Sequence, residues 1–234
     1  MSKRYTVAAG KVDRKTAYPL DRAVTLLQEL PPVKFDETVE LSIALNIDPK
    51  KSDQVVRGTV SLPHGTGKVR RVAVFCKGED ELRAKEAGAD FVGASELIDK
   101  INGGWLDFDV AVATPDLMRE VSRLGKTLGP RGLMPNPRAG TVTDDVAKAI
   151  KELKGGKVEF KMDKLANIHF VIGKRSFKPQ QLVDNGQIAL EAIVRARPST
   201  LKGRLIKGVS VSSTMSPGIP LKTDGLEADT AMVE

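Results

Sequence analysis

The chain has 234 residues, 41% of them apolar and 29% charged, enough for one large hydrophobic core or two modest ones. A net charge of +7 favours polyanionic partners, and an aromatic content of 4% excludes extensive base-stacking or sugar-stacking platforms. The single cysteine, Cys76, excludes an internal disulfide framework and any multi-cysteine metal site.

The first fifteen residues, MSKRYTVAAGKVDRK, lack the apolar core of a secretory signal, and no apolar run approaches membrane-spanning length. A cytoplasmic protein with no membrane partner is therefore expected. YPLDRAVTLLQEL (18–30) reads as an amphipathic helix. In KFDETVELSIALNID (34–48), Val39, Leu41, Ile43 and Leu45 alternate with Glu40, Ser42, Ala44 and Asn46, the period of a half-exposed strand. VVRGTVSLP (55–63) is a second strand of this type, and HGTGK (64–68) is a glycine-rich joint.

The rhythm then changes. RVAVFC (71–76) reads as a buried strand with Cys76 as an inert thiol, EDELRAKEAGA (79–89) as a helix and DFVGA (90–94) as a strand. SELIDKI (95–101) follows as a helix with a serine cap, and FDVAVAT (108–114) as a strand. TPDLMREVSRLGKTL (114–128) has Thr114 as cap and Pro115 at the first helical position. LGPRGLMPNPRAGTVT (128–143) has neither period; it reads as an irregular link between helices that presents Arg131 and Arg138 at the surface. TDDVAKAIKELKGG (143–156) is a helix with Thr143 as cap, acids in its first turn and lysines in its last. Beyond it, GKVEFKMD (156–163), NIHFVIG (167–173) and KGVSVSSTM (207–215) are half-exposed strands around the helix KPQQLVDNGQIALEAIVRAR (178–197). Residues 219–234 are expected to be a disordered tail.

Strands alternating with helices indicate a parallel sheet, whereas the flanks indicate an antiparallel one. The expected architecture is an α+β domain of residues 1–66 and 157–234, an antiparallel sheet with helices on one face. It is interrupted at 67–156 by a three-layer, Rossmann-like α/β domain. Gly65, Gly67, Gly155 and Gly156 would be paired hinges between the two. The split domain carries 22 basic and 16 acidic side chains, a net +6, against 15 and 14 in the insert, so polyanion binding belongs to the split domain.

Enzyme motifs fail on spacing. HGTGKV has neither the glycine spacing nor the hydroxyl of a P-loop, since Val69 stands where Ser or Thr would bind magnesium. After Cys76 comes KGED, with acids where a pyrophosphate would sit. His64 and His169 belong to no metal-ligand pair and no nucleophile elbow, so neither a cofactor nor a metal is expected. His64 reads as a surface hydrogen-bonder. DKLANIHFVIGK (163–174), around His169, and SVSSTMSPG (210–218), beside the basic GRLIKG (203–208), offer what RNA recognition uses: charge, amides, hydroxyls and an exposed methionine. An ordinary Ser/Thr-rich strand is the competing reading of the second stretch.

Five of these stretches, KFDETVE, LNIDPKKSDQVVRGTVSLPHGTGK, LGPRGLMPNPRAGTVT, DKLANIHFVIGK and SSTM, match in order and spacing, and the chain resembles the L-one family of bacterial large-subunit ribosomal proteins over nearly its whole length. The resemblance implies a split RNA-binding domain interrupted by an α/β domain, in a protein that is not an enzyme and is monomeric when free. It implies binding to 23S rRNA of the large ribosomal subunit at a mobile stalk near the E site, help in releasing deacylated E-site tRNA, and repression of its own operon mRNA. The family's rRNA- and mRNA-contacting positions correspond to Lys34, Phe35, Thr38, Glu40, Asp163, Lys164, His169, Gly173, Ser212, Thr214 and Met215. A tRNA-facing set would be Lys50, Lys51, Arg57 and Lys161. The chain departs from the family at Ser216, where Thr-Met-Gly is usual; if that position needed a left-handed backbone, the serine would weaken binding. Two other readings stand beside this one: an α/β enzyme for a phosphate-bearing ligand, and an RNA-binding repressor with no ribosomal role.

Overall fold

The computed structural model describes residues 2–201 and 203–223, with the side chains of Ser52 and Arg138 outside that description. In chain order the elements are α1 (Lys3–Lys11), α2 (Leu20–Glu29), β1 (Thr38–Leu45), β2 (Arg57–Ser61), β3 (Val72–Phe75), α3 (Glu79–Glu86), β4 (Phe91–Gly93), α4 (Ser95–Asn102) and β5 (Val110–Ala113). They continue as α5 (Met118–Val121), α6 (Gly125–Leu128), α7 (Val146–Lys154), β6 (Lys157–Lys161), β7 (Asn167–Lys174), α8 (Pro179–Arg195), β8 (Ile206–Ser213) and β9 (Ile219–Leu221). By compactness the chain divides into one unit formed up to Gly67 and from Val158 onward, and another of Lys68–Lys157.

The first unit is built on an antiparallel sheet of order β7-β1-β8-β9. Val39, Leu41, Ile43 and Leu45 of β1 are buried together with Ile168, Phe170 and Ile172 of β7 and Val209 and Val211 of β8. They pack with Val24 and Leu27 of α2 and Leu182, Leu190 and Ile193 of α8, each fully buried side chain contributing about 1.5–3 kcal/mol. The intervening residues of β1 (Thr38, Glu40, Ser42 and Ala44) are only partly buried, so alternation alone sorts the strand into a core face and an open face.

Three features of this unit differ from the sequence reading. Strands β2 and β6 do not join the large sheet but pair with each other as a separate two-stranded ribbon. Alternation reports which face of a strand is buried and says nothing about its neighbour. Helix α1, which carries no apolar stripe and buries only Ala8, forms behind a Ser2 cap whose hydroxyl accepts from the Tyr5 N–H at 3.3 Å. Residues 219–221, expected in a disordered tail, are β9: Ile219 and Leu221 are buried beside β8, and the carbonyl of Pro220 accepts from the Tyr18 N–H at 2.9 Å. An outer strand accommodates the proline because no ladder N–H is demanded there. Residues 224–234 of the expected tail lie outside the described residues.

In the second unit β4, β3 and β5 form a parallel sheet in that order. Ala73 and Phe75 of β3 cluster with Leu97, Ile98 and Ile101 of α4 and with Leu117, Val121, Leu124 and Leu128. Val72, Val74 and Cys76 cluster with Ala84 of α3 and with Val146, Ala149, Ile150 and Leu153 of α7. Helices therefore cover both faces of the sheet. Burial first, then Glu81 and Asp80, push the Cys76 thiol up to about 11, in keeping with an inert role.

The expected helix over 114–128 is broken into 3₁₀ turns at Pro115–Leu117 and Ser122–Leu124 between the short α5 and α6. Pro115 does take a first-turn position, but the Thr114 side chain makes no capping bond. The Ser122 hydroxyl donates to the Met118 carbonyl at 2.6 Å, a back-bond that competes with regular helix. Helix α7 is capped by Asp145, which accepts from the Lys148 N–H at 3.1 Å, while Thr143 accepts from Asp145 one step earlier. Before α4 stands Ala94, with no side-chain cap, so Ser95 begins that helix instead of capping it. The stretch 128–143 links α6 to α7 through a 3₁₀ turn at Pro137–Ala139, with Val142 bridged in parallel to Ala113. Arg131 is exposed, and the Arg138 side chain lies outside the described residues. No helix among the described residues is long and apolar enough to cross a membrane.

One buried polar side chain organises the end of the first unit. Asn185 of α8, with no exposed surface, accepts from the His64 N–H at 3.2 Å and donates to the carbonyls of Gly65 at 2.9 Å and Ile172 at 2.8 Å. Replacing Asn185 by alanine leaves these groups unpaired; the midpoint of urea unfolding should fall, corresponding to about 3 kcal/mol.

Candidate nucleic-acid interface

Continuing the β1 alternation backwards from Val39 puts Glu37 on the core face, and the structure buries it completely. One carboxylate oxygen accepts from the Arg175 guanidinium at 2.6 Å; the other accepts from the Ser213 hydroxyl at 3.1 Å and the Met215 N–H at 3.0 Å. Arg175 also donates to the carbonyls of Gln28 at 3.2 Å, Leu30, and Pro31 at 3.5 Å, and its own N–H donates to the Glu37 carbonyl at 2.8 Å. The C-terminal end of α2, the loop before β1, the turn after β7 and the turn after β8 thus meet at one ion pair.

The side chains displayed around this junction include five of the eleven candidate rRNA-contacting positions. Phe35 is 54% exposed and Met215 50% exposed, although both are large and apolar. Lys34 and Thr214 are exposed as well. Thr38 and Thr214 hold each other: the Thr38 N–H donates to the Thr214 hydroxyl and the Thr214 N–H to the Thr38 carbonyl, both at 3.1 Å. The Lys174 ammonium donates to the Thr38 hydroxyl at 2.8 Å. Asp36 accepts from both the N–H and the hydroxyl of Ser176, which fixes the loop below Phe35.

From this edge the open face continues across the sheet. Glu40 is paired in register with Ser212 and Val171, Ser42 with Ser210 and His169, and Ala44 with Gly208 and Asn167. His169 Nδ1 lies 3.2 Å from the Ser42 hydroxyl. An open depression of about 280 Å³ is lined by Ser42, Ala44, Asn167, His169, Gly208 and Ser210. Ser42 and Ser210 were not singled out in the sequence, although the parity that exposes Glu40 and Ser212 applies equally to them.

Other candidates take different places. Asp163 builds the β6–β7 turn: its carboxylate accepts from the N–H groups of Asn167 at 2.7 Å and Leu165 at 2.8 Å. The Asn167 N–H is the main reason that this carboxyl is held below the usual carboxylate range. Lys164 and the 79%-exposed Leu165 stand at the tip of that turn. Gly173 is buried, and a β-carbon there would come within 2.9 Å of Leu182 and Phe177, so close packing holds this position to glycine. Ser216 needs no left-handed backbone, because Ala166 is the one non-glycine residue with positive φ among the described residues. Its hydroxyl accepts from the Ser213 N–H at 2.8 Å, so the departure from glycine adds a bond that closes the turn.

Lys50 and Lys51 are exposed on a turn shaped by Asp48, which accepts from the Lys50 N–H at 3.1 Å. Arg57 and Lys161 share one end of the β2–β6 ribbon, beside a bond from the Met162 N–H to the Val56 carbonyl at 2.9 Å. Gly65 and Gly67 have left-handed φ of 64° and 72°, with Gly65 tied to Asn185. Gly155 ends α7 at φ −72°, and Gly156 follows at φ 108°. His64 Nε2 lies 3.1 Å from Asp184. No group of three or more potential metal ligands occurs among the described residues.

The profile of the family described as "Ribosomal protein L1p/L10e family" matches residues 27–217. The chain belongs to this family. It is 57% identical over 220 residues to the large ribosomal subunit protein uL1 of Nocardia farcinica, covering 94% of this chain and 93% of that protein. Identity to the protein of the same name from Kosmotoga olearia is 58% over 220 residues, covering 94% and 95%. With that from Protochlamydia amoebophila it is 54% over 233 residues, covering 100% and 98%. The family is one of ribosomal proteins and not of enzymes.

Arg175→Met strands Glu37 as an unpaired buried charge and should cost about 3–5 kcal/mol in chemical denaturation. Pairing it with Glu37→Gln should cost less than the sum of the two single changes. A depressed folded-state pKa means that Asp163 contributes stability above its unfolded value, near pH 4, and loses it as pH falls through the folded value. Asp163→Asn should therefore flatten the loss of stability below about pH 4, measured by thermal melts across an acid series.

Proposed function

We propose that this face binds 23S rRNA in the large ribosomal subunit, with Lys34, Phe35, Thr38, Glu40, His169, Ser212, Thr214 and Met215 as direct contacts. The observation that carries the proposal is the convergence, at the Glu37–Arg175 pair, of four separated segments that leave Phe35 and Met215 half exposed on a firmly held backbone. Small hydroxyls and amides suit 2′-hydroxyls and base edges, the two apolar side chains suit sugars or unstacked bases, and Lys34, Lys164 and Lys174 suit phosphates. Asp163 is exposed in the β6–β7 turn that it builds and is open to the RNA there, while Gly173 is buried and acts in the packing. Such a surface reads RNA shape more than charge, which agrees with the modest +6 of the segments that form it.

In this reading the split unit anchors the protein to the mobile stalk near the E site, and the inserted unit moves about glycine hinges. Lys50, Lys51, Arg57 and Lys161 face the E-site tRNA and assist release of deacylated tRNA. A similar RNA fold in its own operon mRNA competes for the same face, which makes the free monomer a translational repressor in the cytoplasm. The names of the relatives support the ribosomal part of this reading.

The chain should co-migrate with the large subunit in a sucrose gradient; migration only with free mRNA would favour a stand-alone repressor. Thr214→Ala and Met215→Ala should each weaken rRNA binding by about 1–3 kcal/mol in a filter-binding titration, and unchanged affinity in both would move the site elsewhere.

A further inference from the structure

Helix α1 supplies an arginine that no sequence motif singles out. The Arg4 guanidinium donates to the carbonyl of Met215 and, at 3.3 Å, to the carbonyl of Pro31. Those two carbonyls sit at the ends of the two segments that display Phe35 and Met215, more than 180 residues apart in the chain. The Pro31 carbonyl is shared with Arg175, and the Met215 N–H is already taken by Glu37. Both backbone polar groups of the exposed Met215 are therefore bonded to charged side chains. Among the described residues no carboxylate lies within ion-pair distance of Arg4, so its charge is directed at carbonyl dipoles and not at a counter-ion.

We infer that Arg4 is a positioning residue of the nucleic-acid interface: it clamps the Phe35 loop to the Met215 turn and so preorganises both for RNA. The inference rests on the proposed rRNA-binding role of that face. Charge-assisted bonds are roughly twice as strong as neutral ones, and a planar fork bridges two carbonyls in a way that the point charge of a lysine does not. Holding a contact side chain in its bound conformation before the partner arrives removes an ordering cost from association. It also gives α1, which buries a single residue, a function: it is the platform that brings Arg4 to the turn.

The test uses the full chain, in vitro transcribed 23S rRNA, and the variants Arg4→Ala, Arg4→Lys, Met215→Ala and the Arg4→Ala/Met215→Ala pair. Arg4→Ala should weaken binding about tenfold with an unchanged salt slope, and Arg4→Lys should restore little of it. The double variant should lose less than the product of the single losses, because Arg4 acts through Met215. Without RNA, hydrogen exchange at the Met215 amide should speed up in Arg4→Ala while the melting temperature changes little. Unaltered affinity and exchange would overturn the inference. So would a salt slope lowered by about one with full rescue by lysine, the mark of a phosphate contact. Binding that Met215→Ala weakens and Arg4→Ala does not refutes the Arg4 role alone, whereas an unaltered chain that fails to bind the rRNA refutes the proposed function with it.

Discussion

The Glu37–Arg175 pair is the constraint on which the open edge of the first unit depends. Taking a carboxylate out of water costs several kcal/mol, and the cost is offset only when both of its oxygens find donors. Here they do: a guanidinium, a hydroxyl and a backbone N–H surround the carboxylate, and the arginine spends its remaining donors on carbonyls at the end of α2. The pair cannot form unless the segments near residues 28–37, 175 and 213–215 are all in place. It therefore specifies an arrangement of loops that apolar packing alone would leave loose.

That arrangement explains how large apolar side chains come to be exposed without collapsing onto the core. Both backbone polar groups of Met215 are already bonded to charged side chains, so its retreat toward the interior would break charge-assisted bonds, and the loop at Phe35 is held by the Asp36 carboxylate on Ser176. Beside them the open face carries serines, an asparagine and a histidine with little net charge. Under the proposed function, RNA would be read there by hydrogen bonds and shape, with lysines at the margin to attract phosphate. Ser216 belongs to the same logic, since its hydroxyl completes the turn that a glycine would leave more mobile.

The amino-acid sequence by itself determined the β1 faces, the burial of the core apolar residues, the parallel sheet of the inserted segment and the failure of every enzyme motif. Each of these follows from local periodicity or from fixed spacing, and both are visible in one dimension. The motif residues of the family were equally legible. Even the burial of Glu37 was implicit, since it shares the parity of Val39, Leu41 and Ile43.

What only the tertiary structure decided is which segments meet. The pairing of β2 with β6, the docking of β9, and the breaking of 114–128 into short turns depend on neighbours distant in sequence. The same holds for the sorting of the candidate residues. The Asp163 carboxylate also builds the β6–β7 turn, Gly173 is packed against Phe177, and Arg4 reaches the carbonyls of Pro31 and Met215. A side chain's chemistry is written in the chain, but its role depends on which donors and acceptors surround it, and those are set by long-range contacts.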